Sequence, residues 1–257
     1  MAESQIKRPS LWLFFTEIFR ALNELRKCWF YVRRFRVKYP GDGHTVLVVP
    51  GFMASDFSTM LLRNFLRRHG YKVHGWGLGT NYADLHQLDV VDQRIDALYQ
   101  KSGQPISLIG WSLGGVYVRE LAKKQPEKIR QVITLGSPYG GIFEPNNANI
   151  TFKVISWLKK YPEPDPSFIN QLPRPVPVPT TAFYSKKDGI VPWEACIEPE
   201  NGSHQNIEVA SSHLGMGVYC EVLEIIARQL TYDRSNWRPF LAEDAPVRSS
   251  TSNYSPA

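Results

Sequence analysis

The sequence predicts an α/β protein, in which a mostly parallel sheet carries helices on both faces. Short apolar runs typical of buried strands alternate with amphipathic, helix-like segments along most of the chain. One of these strand runs ends in the pattern G-x-S-x-G, which is followed directly by a helical segment. The length of 257 residues and the hydrophobic content of 43% suit one domain with modest insertions.

Residues 1–40 predict a basic amphipathic helix that precedes this domain. They hold nine basic and three acidic side chains, a balance of +6, so residues 41–257 are formally neutral. Arg20, Lys27 and Arg34 recur seven apart on a face that differs from the apolar one. Apolar residues spaced alternately four and three apart mark that apolar face: Leu11, Phe15, Ile18, Leu22, Leu25, Trp29 and Val32.

Two interpretations of this helix remain open. It either lies on an anionic membrane surface, or it docks on the body with its charges solvated, which is the favoured interpretation. Glu17 and Arg20 interrupt the apolar run, so we do not expect a secretory signal. No run reaches the ~18 apolar residues that a membrane span requires. We therefore expect a cytoplasmic protein whose residues 1–40 are its candidate contact with an anionic membrane.

Composition also limits the partners and cofactors. The neutral body argues against a nucleic-acid-binding surface, and no phosphate-binding loop or cluster of metal ligands is present in the sequence. The three cysteines are far apart and form no C-x-x-C pair, which argues against a disulfide framework or a zinc site. We expect no cofactor and no metal, and the sequence leaves the oligomeric state open.

The elements of the body, residues 41–235, follow in β-α-β-α order after a turn-rich break at 39–43. Ser55 or Asp56 is the expected N-cap of the first helix of the body. The predicted strands are 44–49, 71–76, one from 106 to the G-x-S-x-G pattern, 130–135, 180–184 and 206–210; the predicted helices are 55–69, 88–101, 113–124 and 218–230.

The alternation stops between residues 140 and 179. Seven prolines from 162 to 179 favour extended or irregular backbone, and 151–160 predicts one short helix. A long irregular insertion in a compact domain is usually functional, so we expect a lid-like segment, with a plain surface excursion as the alternative. Residues 236–257 are expected to form a tail that is disordered at its end, from 246 onward.

The G-x-S-x-G pattern predicts a nucleophile elbow at Ser112. In such an elbow a sharp turn from strand to helix exposes the serine hydroxyl at the sheet edge. Gly110 and Gly114 avoid the clashes that side chains would cause in so tight a turn. The helix that opens at Leu113 offers backbone N–H groups to a developing oxyanion.

A serine hydroxyl needs a general base and a carboxylate that orients the base. Asp188 follows the predicted strand 180–184, at the sheet edge where sites of α/β proteins form. Two histidines lie downstream of it. His213 follows the last predicted strand and is favoured over His204, which precedes that strand in a polar turn. The second oxyanion donor is expected after the first parallel strand, at the N–H of Phe52, beside that of Leu113.

Taken together, the chain from about 43 to 228 resembles the α/β-hydrolase superfamily, most closely bacterial esterase/lipase-like serine hydrolases. The resemblance implies an α/β-hydrolase fold and a Ser112–His213–Asp188 catalytic triad. One departure is the Pro50-Gly51 of the oxyanion loop, where many lipases have His-Gly. The motifs that carry the resemblance are Val49-Pro50-Gly51-Phe52, Gly110-Trp111-Ser112-Leu113-Gly114-Gly115, Thr134-Leu135-Gly136-Ser137-Pro138, Asp188-Gly189-Ile190-Val191 and Ser212-His213-Leu214-Gly215.

The resulting hypothesis is a cofactor-free serine hydrolase with an oxyanion hole, acting as an esterase or lipase on a small-molecule or lipid ester. The alternative within the enzyme class is an acyltransferase or thioesterase that uses the same triad. The alternative from another class is a catalytically inactive protein that binds membrane surfaces.

Overall fold

The computed structural model describes residues 6–34, 37–141, 146–147, 165–199 and 201–240. In this part of the chain, a six-stranded sheet has the order β2-β1-β3-β4-β5-β6, and every neighbouring pair of strands is parallel. The predicted α/β fold with a parallel sheet is confirmed. The strands are β1 (Thr45–Val49), β2 (Lys72–Gly75), β3 (Ile106–Trp111), β4 (Ile129–Leu135), β5 (Thr180–Tyr184) and β6 (His204–Glu208).

Helices cover both faces of the sheet, as predicted. Successive strand residues point to opposite faces, so Val46 and Val48 pack with α1, α2 and α6, whereas Leu47 and Val49 pack with α3 and α4. The helices are α1 (Leu11–Arg34), α2 (Met60–Arg68), α3 (His86–Ser102), α4 (Leu113–Lys124), α5 (Pro166–Gln171) and α6 (Cys220–Gln229), with short 3-10 turns at Pro126–Lys128, Trp193–Cys196 and Met216–Val218.

The first helix of the body begins later than predicted. Neither Ser55 nor Asp56 caps it, since α2 begins at Met60. The Asp56 carboxylate instead accepts the N–H groups of Trp76 and Gly77, each at 3.0 Å, and so holds the turn that follows β2. A residue type suited to a cap therefore has a tertiary role here, which local sequence does not reveal.

Two other boundaries near the predicted base also differ. β6 begins at His204 rather than at 206, so His204 is the first residue of the strand and not part of a preceding turn. The closing helix begins at Cys220, after the turn at Met216–Val218. The helix predicted over 151–160, most of the insertion and the tail beyond 240 lie outside the described residues, and α5 was not predicted.

The N-terminal helix is present and docks on the body, but not through its apolar face. The inward side of α1 carries Glu17 and Cys28, which are 2% and 0% exposed. Much of the predicted apolar face points outward, with Phe15 71% and Ile18 62% exposed. None of the described helices combines the length and apolar character of a bilayer-spanning segment.

Candidate active site

Ser112 lies at the turn between β3 and α4, as predicted. Its backbone has φ 52° and ψ −122°, a positive φ that residues with a side chain rarely adopt. The conformation is held by the Ser112 N–H, which donates to the carbonyl of Leu135 at 2.8 Å, and by the Gly115 N–H, which donates to the Ser112 carbonyl at 2.9 Å. The chain therefore maintains a strained backbone at the residue that the sequence marks as the nucleophile.

The glycines of the elbow are required by close packing. A Cβ at Gly110 would collide with the backbone of Gly114 and Gly115, and a Cβ at Gly114 would collide with the carbonyl of Val49. Glycine thus allows α4 to start directly against β3 and β1. This confirms the steric reason for the G-x-S-x-G pattern.

Asp188 and His213 form a direct pair at the carboxyl edge of the sheet. Asp188 Oδ2 lies 2.5 Å from His213 Nδ1, and both residues are 4% exposed. The other carboxylate oxygen, Oδ1, accepts the N–H groups of Ile190 and Val191 at 2.8 Å each, which fixes the carboxylate. The pair leaves the Nε2 atom of His213 available to exchange a proton with a nucleophile.

The electrostatics of the pair suit a general base. Burial lowers the pKa of His213, but the neighbouring Asp188 carboxylate and, after it, Glu17 raise that pKa, and the net result is a pKa above the ordinary value. The protonated imidazole that forms during general-base catalysis is therefore stabilised by two carboxylates.

His204 lies outside this site. It is the first residue of β6, whereas Asp188 and His213 lie in the loops that follow the carboxyl ends of β5 and β6. Its Nε2 lies 2.8 Å from the carbonyl of Val176. The choice of His213 over His204 agrees with this arrangement.

Trp111, the residue before Ser112, connects the elbow strand to the loop that carries His213. The indole N–H of Trp111 donates to the carbonyl of His213 at 3.2 Å, which ties the histidine loop to the elbow strand. Within the described ranges, no hydrogen bond joins the Ser112 hydroxyl to the His213 ring. Such nucleophile–base bonds are often longer before a substrate is bound.

The loop after β1, which is the predicted oxyanion loop, lies against Ser112. A Cβ at Gly51 would come within 3.0 Å of the Ser112 Cβ, so Phe52 begins directly beside the elbow. The chain segments that carry Phe52 and Leu113 therefore meet at Ser112. The role of these two residues as oxyanion donors stays a prediction.

The oxyanion loop is braced by Asn81, which sequence reasoning missed. Asn81 is fully buried, and its side-chain amide donates to the carbonyl of Pro50 at 3.0 Å. The backbone carbonyl of Asn81 accepts the N–H of Met53 at 2.7 Å, and Met53 has a strained φ of 57°. The sequence around Asn81 carries only an ordinary turn signal.

Sequence reasoning also missed Glu17 of α1. Its carboxylate joins the loop that carries Asp188 to the loop that carries His213. Its Oε1 accepts the N–H groups of Gly189 at 2.8 Å and His213 at 3.2 Å, and its Oε2 accepts the N–H of Leu214 at 3.1 Å. Arg20 donates to the same carboxylate at 2.7 Å and to the carbonyl of Lys187 at 2.7 Å. One buried carboxylate thus holds the residues next to both members of the acid–base pair.

Glu24 provides a second contact with these loops, about two helical turns further along α1. Its carboxylate accepts the N–H of Ser212 at 2.9 Å and the Ser212 hydroxyl at 2.8 Å. A Cβ at Gly189 would collide with the backbone of α1 at Leu13, so the helix is in close contact with the acid loop. The N-terminal helix therefore forms part of the candidate active site.

No cluster of potential metal ligands occurs within the described ranges. The arrangement of a strained elbow serine, a buried carboxylate–histidine pair and an adjoining glycine loop, on this parallel sheet, defines an α/β-hydrolase.

The comparisons with known proteins agree with this fold and identify a family. The family model for palmitoyl protein thioesterase matches residues 45–173, just over half of the chain. The chain therefore belongs to the palmitoyl protein thioesterase family. No curated protein matches the sequence.

Solved structures are similar in fold at low sequence identity. Lipase B of Aspergillus fumigatus is 17% identical, with a TM-score of 0.58 over 77% of this chain, and the match spans only 55% of that lipase. A thioesterase domain from the curacin biosynthetic pathway is 16% identical, with a TM-score of 0.51 over 77% of this chain and 92% of that chain. The monoacylglycerol lipase of Paleococcus ferrophilus is 17% identical, with a TM-score of 0.51 over 73% of this chain and 95% of that chain.

Proposed function

We propose that the protein is a serine hydrolase that cleaves acyl esters and thioesters through an acyl-enzyme on Ser112. The observation that carries this proposal is the strained Ser112 elbow, at the same sheet edge as the buried Asp188–His213 pair. Strain at one residue persists only where the surrounding structure maintains it, and such positions cluster at functional sites. Membership of a thioesterase family supports the same reaction class.

The first half of the reaction forms the acyl-enzyme. His213 Nε2 takes the proton of the Ser112 hydroxyl while Oγ attacks the acyl carbonyl carbon, and the carbonyl π electrons move to its oxygen. The N–H groups of Phe52 and Leu113 stabilise this oxyanion. When the carbonyl re-forms, the bond to the leaving oxygen or sulfur breaks, and the imidazolium returns the proton to the leaving alcohol or thiol.

The second half releases the acid. His213 takes a proton from a water molecule, whose oxygen attacks the acyl carbon, and the same N–H groups stabilise the second oxyanion. Collapse breaks the acyl–Oγ bond, and Ser112 recovers its proton from His213. Asp188 orients the imidazole and stabilises its charged form throughout without itself becoming protonated.

A panel of p-nitrophenyl esters of increasing acyl length tests the proposal. Wild-type protein should hydrolyse members of the panel, and Ser112→Ala should lower turnover by several orders of magnitude, as in other triad knockouts. Ser102→Ala, at the far end of α3, is the matched serine control and should retain activity. Wild-type turnover by Ser112→Ala would overturn the mechanism.

A thioester substrate is the candidate that the family match favours. Hexadecanoyl thioester and oxoester with otherwise matched leaving groups should be compared by kcat/KM. A clear preference for the thioester would support thioesterase activity, whereas equal or better use of the oxoester would support the esterase or lipase assignment. Product analysis with a competing alcohol separates hydrolysis from acyl transfer, because transfer yields a new ester in place of the acid.

The catalytically inactive alternative is separated by active-site labelling. A fluorophosphonate should label Ser112 stoichiometrically if the serine is activated. Absence of labelling in folded protein would favour a binding protein without catalytic function.

A further inference from the structure

The outward face of α1 is an exposed apolar surface. Eight aliphatic or aromatic side chains on α1 are each more than half exposed, and they recur along the full length of the helix. Contiguous apolar surface of this kind is rare on soluble proteins and marks an interaction site. The residues of this outward face are Leu11, Trp12, Phe15, Ile18, Phe19, Leu22, Trp29 and Phe30.

The acidic side chains of α1 face the body, and exposed basic side chains lie on its outward side. Both of its carboxylates, Glu17 and Glu24, bind the catalytic loops. Arg26 and Lys27 are exposed in the second half of the helix, and Lys7 is exposed just before it. On the described outward side of α1, the charged side chains are therefore basic, and their natural counterpart is an anionic surface.

We propose that the outward face of α1 docks the protein on anionic lipid membranes, with the helix lying parallel to the bilayer surface. Trp12 and Trp29, which are 75% and 51% exposed, suit the boundary between headgroups and acyl chains. A second copy of the chain fits less well, because the described outward face of its α1 offers no carboxylate to pair with Arg26 and Lys27.

The position of this face explains what docking would achieve. The inward side of the same helix holds Gly189, His213 and Leu214, so the face lies over the catalytic edge of the sheet. Phe57, which is 78% exposed in the segment after the oxyanion loop, adds to the exposed apolar residues near this edge. Docking brings the catalytic edge of the sheet close to the membrane surface, on the inward side of α1. The benefit for catalysis rests on the proposed function, whereas the docking itself does not.

Vesicle co-sedimentation of the full chain tests the proposal. Ser112→Ala protein should be used beside the wild type, so that binding is measured without turnover and a failure of the proposed function is scored separately. We expect binding to vesicles with a third of anionic phospholipid, weaker binding to purely zwitterionic vesicles, and a loss of affinity as the salt concentration rises.

Two sets of variants distinguish the apolar and the basic contributions. Trp12→Ser with Phe15→Ser should weaken binding about tenfold or more, because two large side chains no longer enter the lipid. Arg26→Gln with Lys27→Gln should weaken binding to anionic vesicles by about fivefold for each charge and leave binding to zwitterionic vesicles unchanged. Val90→Ser changes an exposed apolar residue on α3, and this control should bind as wild type.

Several results would overturn the proposal. These are wild-type binding by the Trp12 and Phe15 double variant with an unchanged circular dichroism spectrum, and no binding of the wild type to anionic vesicles. Light scattering that shows a wild-type dimer and a monomeric double variant would assign the face to a second copy. Strong protection of Trp12 from acrylamide quenching in monomeric protein would show that another segment of the chain covers the face.

Discussion

The substitution Glu17→Gln tests whether the N-terminal helix is part of the catalytic machinery. In the wild type, one carboxylate accepts the backbone N–H groups of Gly189, His213 and Leu214 and pairs with Arg20. Glutamine has nearly the same shape and can keep one acceptor oxygen. Its NH₂ group cannot accept a hydrogen bond, and the negative charge is lost.

The structure gives the expected size of the effect. At least one hydrogen bond to a charged acceptor is lost in a site that is 2% exposed, which costs about 1.5–3 kcal/mol in the free energy of unfolding. For a domain of this size, that loss lowers Tm by roughly 3–12 °C. Because a displacement of about 1 Å can cost on the order of 10²-fold in rate, kcat should fall by about 10- to 100-fold.

The pH dependence of kcat/KM separates electrostatics from simple disruption. His213 must be neutral to act as a base, and the Glu17 carboxylate raises the pKa of His213. Without that charge the pKa of His213 falls, so the acidic limb of the profile should move to lower pH in Glu17→Gln. Stopped or continuous ester hydrolysis across the acidic range measures this limb.

Glu24→Gln is the matched control for this experiment. Glu24 also ties α1 to the histidine loop, at Ser212, but it is not among the charges that raise the pKa of His213. Glu24→Gln should therefore lower Tm and kcat without moving the acidic limb. Wild-type Tm and kcat in Glu17→Gln, or a limb that moves to higher pH, would refute the reasoning.

Three further predictions concern the acid, the oxyanion loop and the docking of α1. Asp188→Asn should lower kcat by about 10⁴-fold, because the imidazole loses the carboxylate that fixes its tautomer, and ester hydrolysis at neutral pH measures this. Asn81→Ala should lower kcat by up to ~10²-fold with KM little changed, since the carbonyl of Pro50 loses its donor and the loop shifts, which steady-state kinetics can measure. Cys28 on α1 and Cys220 on α6 pack in one core cluster, and each thiol shifts the pKa of the other, so diamide should oxidise the two thiols to one disulfide with loss of two hydrogen atoms, as peptide mass spectrometry would show.

Each of these predictions has a result that contradicts it. Wild-type turnover in Asp188→Asn would remove the acid from the triad. An unchanged kcat in Asn81→Ala would show that the loop holds its shape without that side chain. Failure of the cysteine pair to cross-link under conditions that oxidise an exposed thiol standard would contradict the observed position of α1. Cys196, whose thiol contacts the carbonyl of Pro192 and not another cysteine, serves as the internal control and should stay reduced.

The order of the elements was predictable because the signals were local and periodic. Buried strands are apolar runs in the sequence. Gly110 and Gly114 mark the elbow because its tight turn leaves no room for a side chain at either position. The structure pairs Asp188 with His213, as expected from strands whose carboxyl ends lie at the elbow edge, and their catalytic roles stay a prediction. The predicted start of α2 was wrong because the Asp56 side chain binds the turn after β2, 20 residues away in sequence.

The role of α1 could not be predicted from local pattern. The heptad-like apolar stripe indicated a face for docking, but the helix docks through Glu17, Glu24 and Cys28 instead. Periodicity identifies a face and does not say what the face contacts. In the sequence, Glu17 only interrupts an apolar run. In the structure, its side chain accepts hydrogen bonds from loops about 170 residues later in the chain.

The central claim is that an acyl group is transferred to Ser112, and trapping that intermediate tests it most directly. Protein mixed with a long-chain acyl thioester should be quenched with acid in the first turnovers, digested and analysed by mass spectrometry. We predict one acyl group on the peptide that contains Ser112 and no such adduct in Ser112→Ala. Turnover of the substrate without an adduct on Ser112, or with equal turnover in Ser112→Ala, would contradict the account.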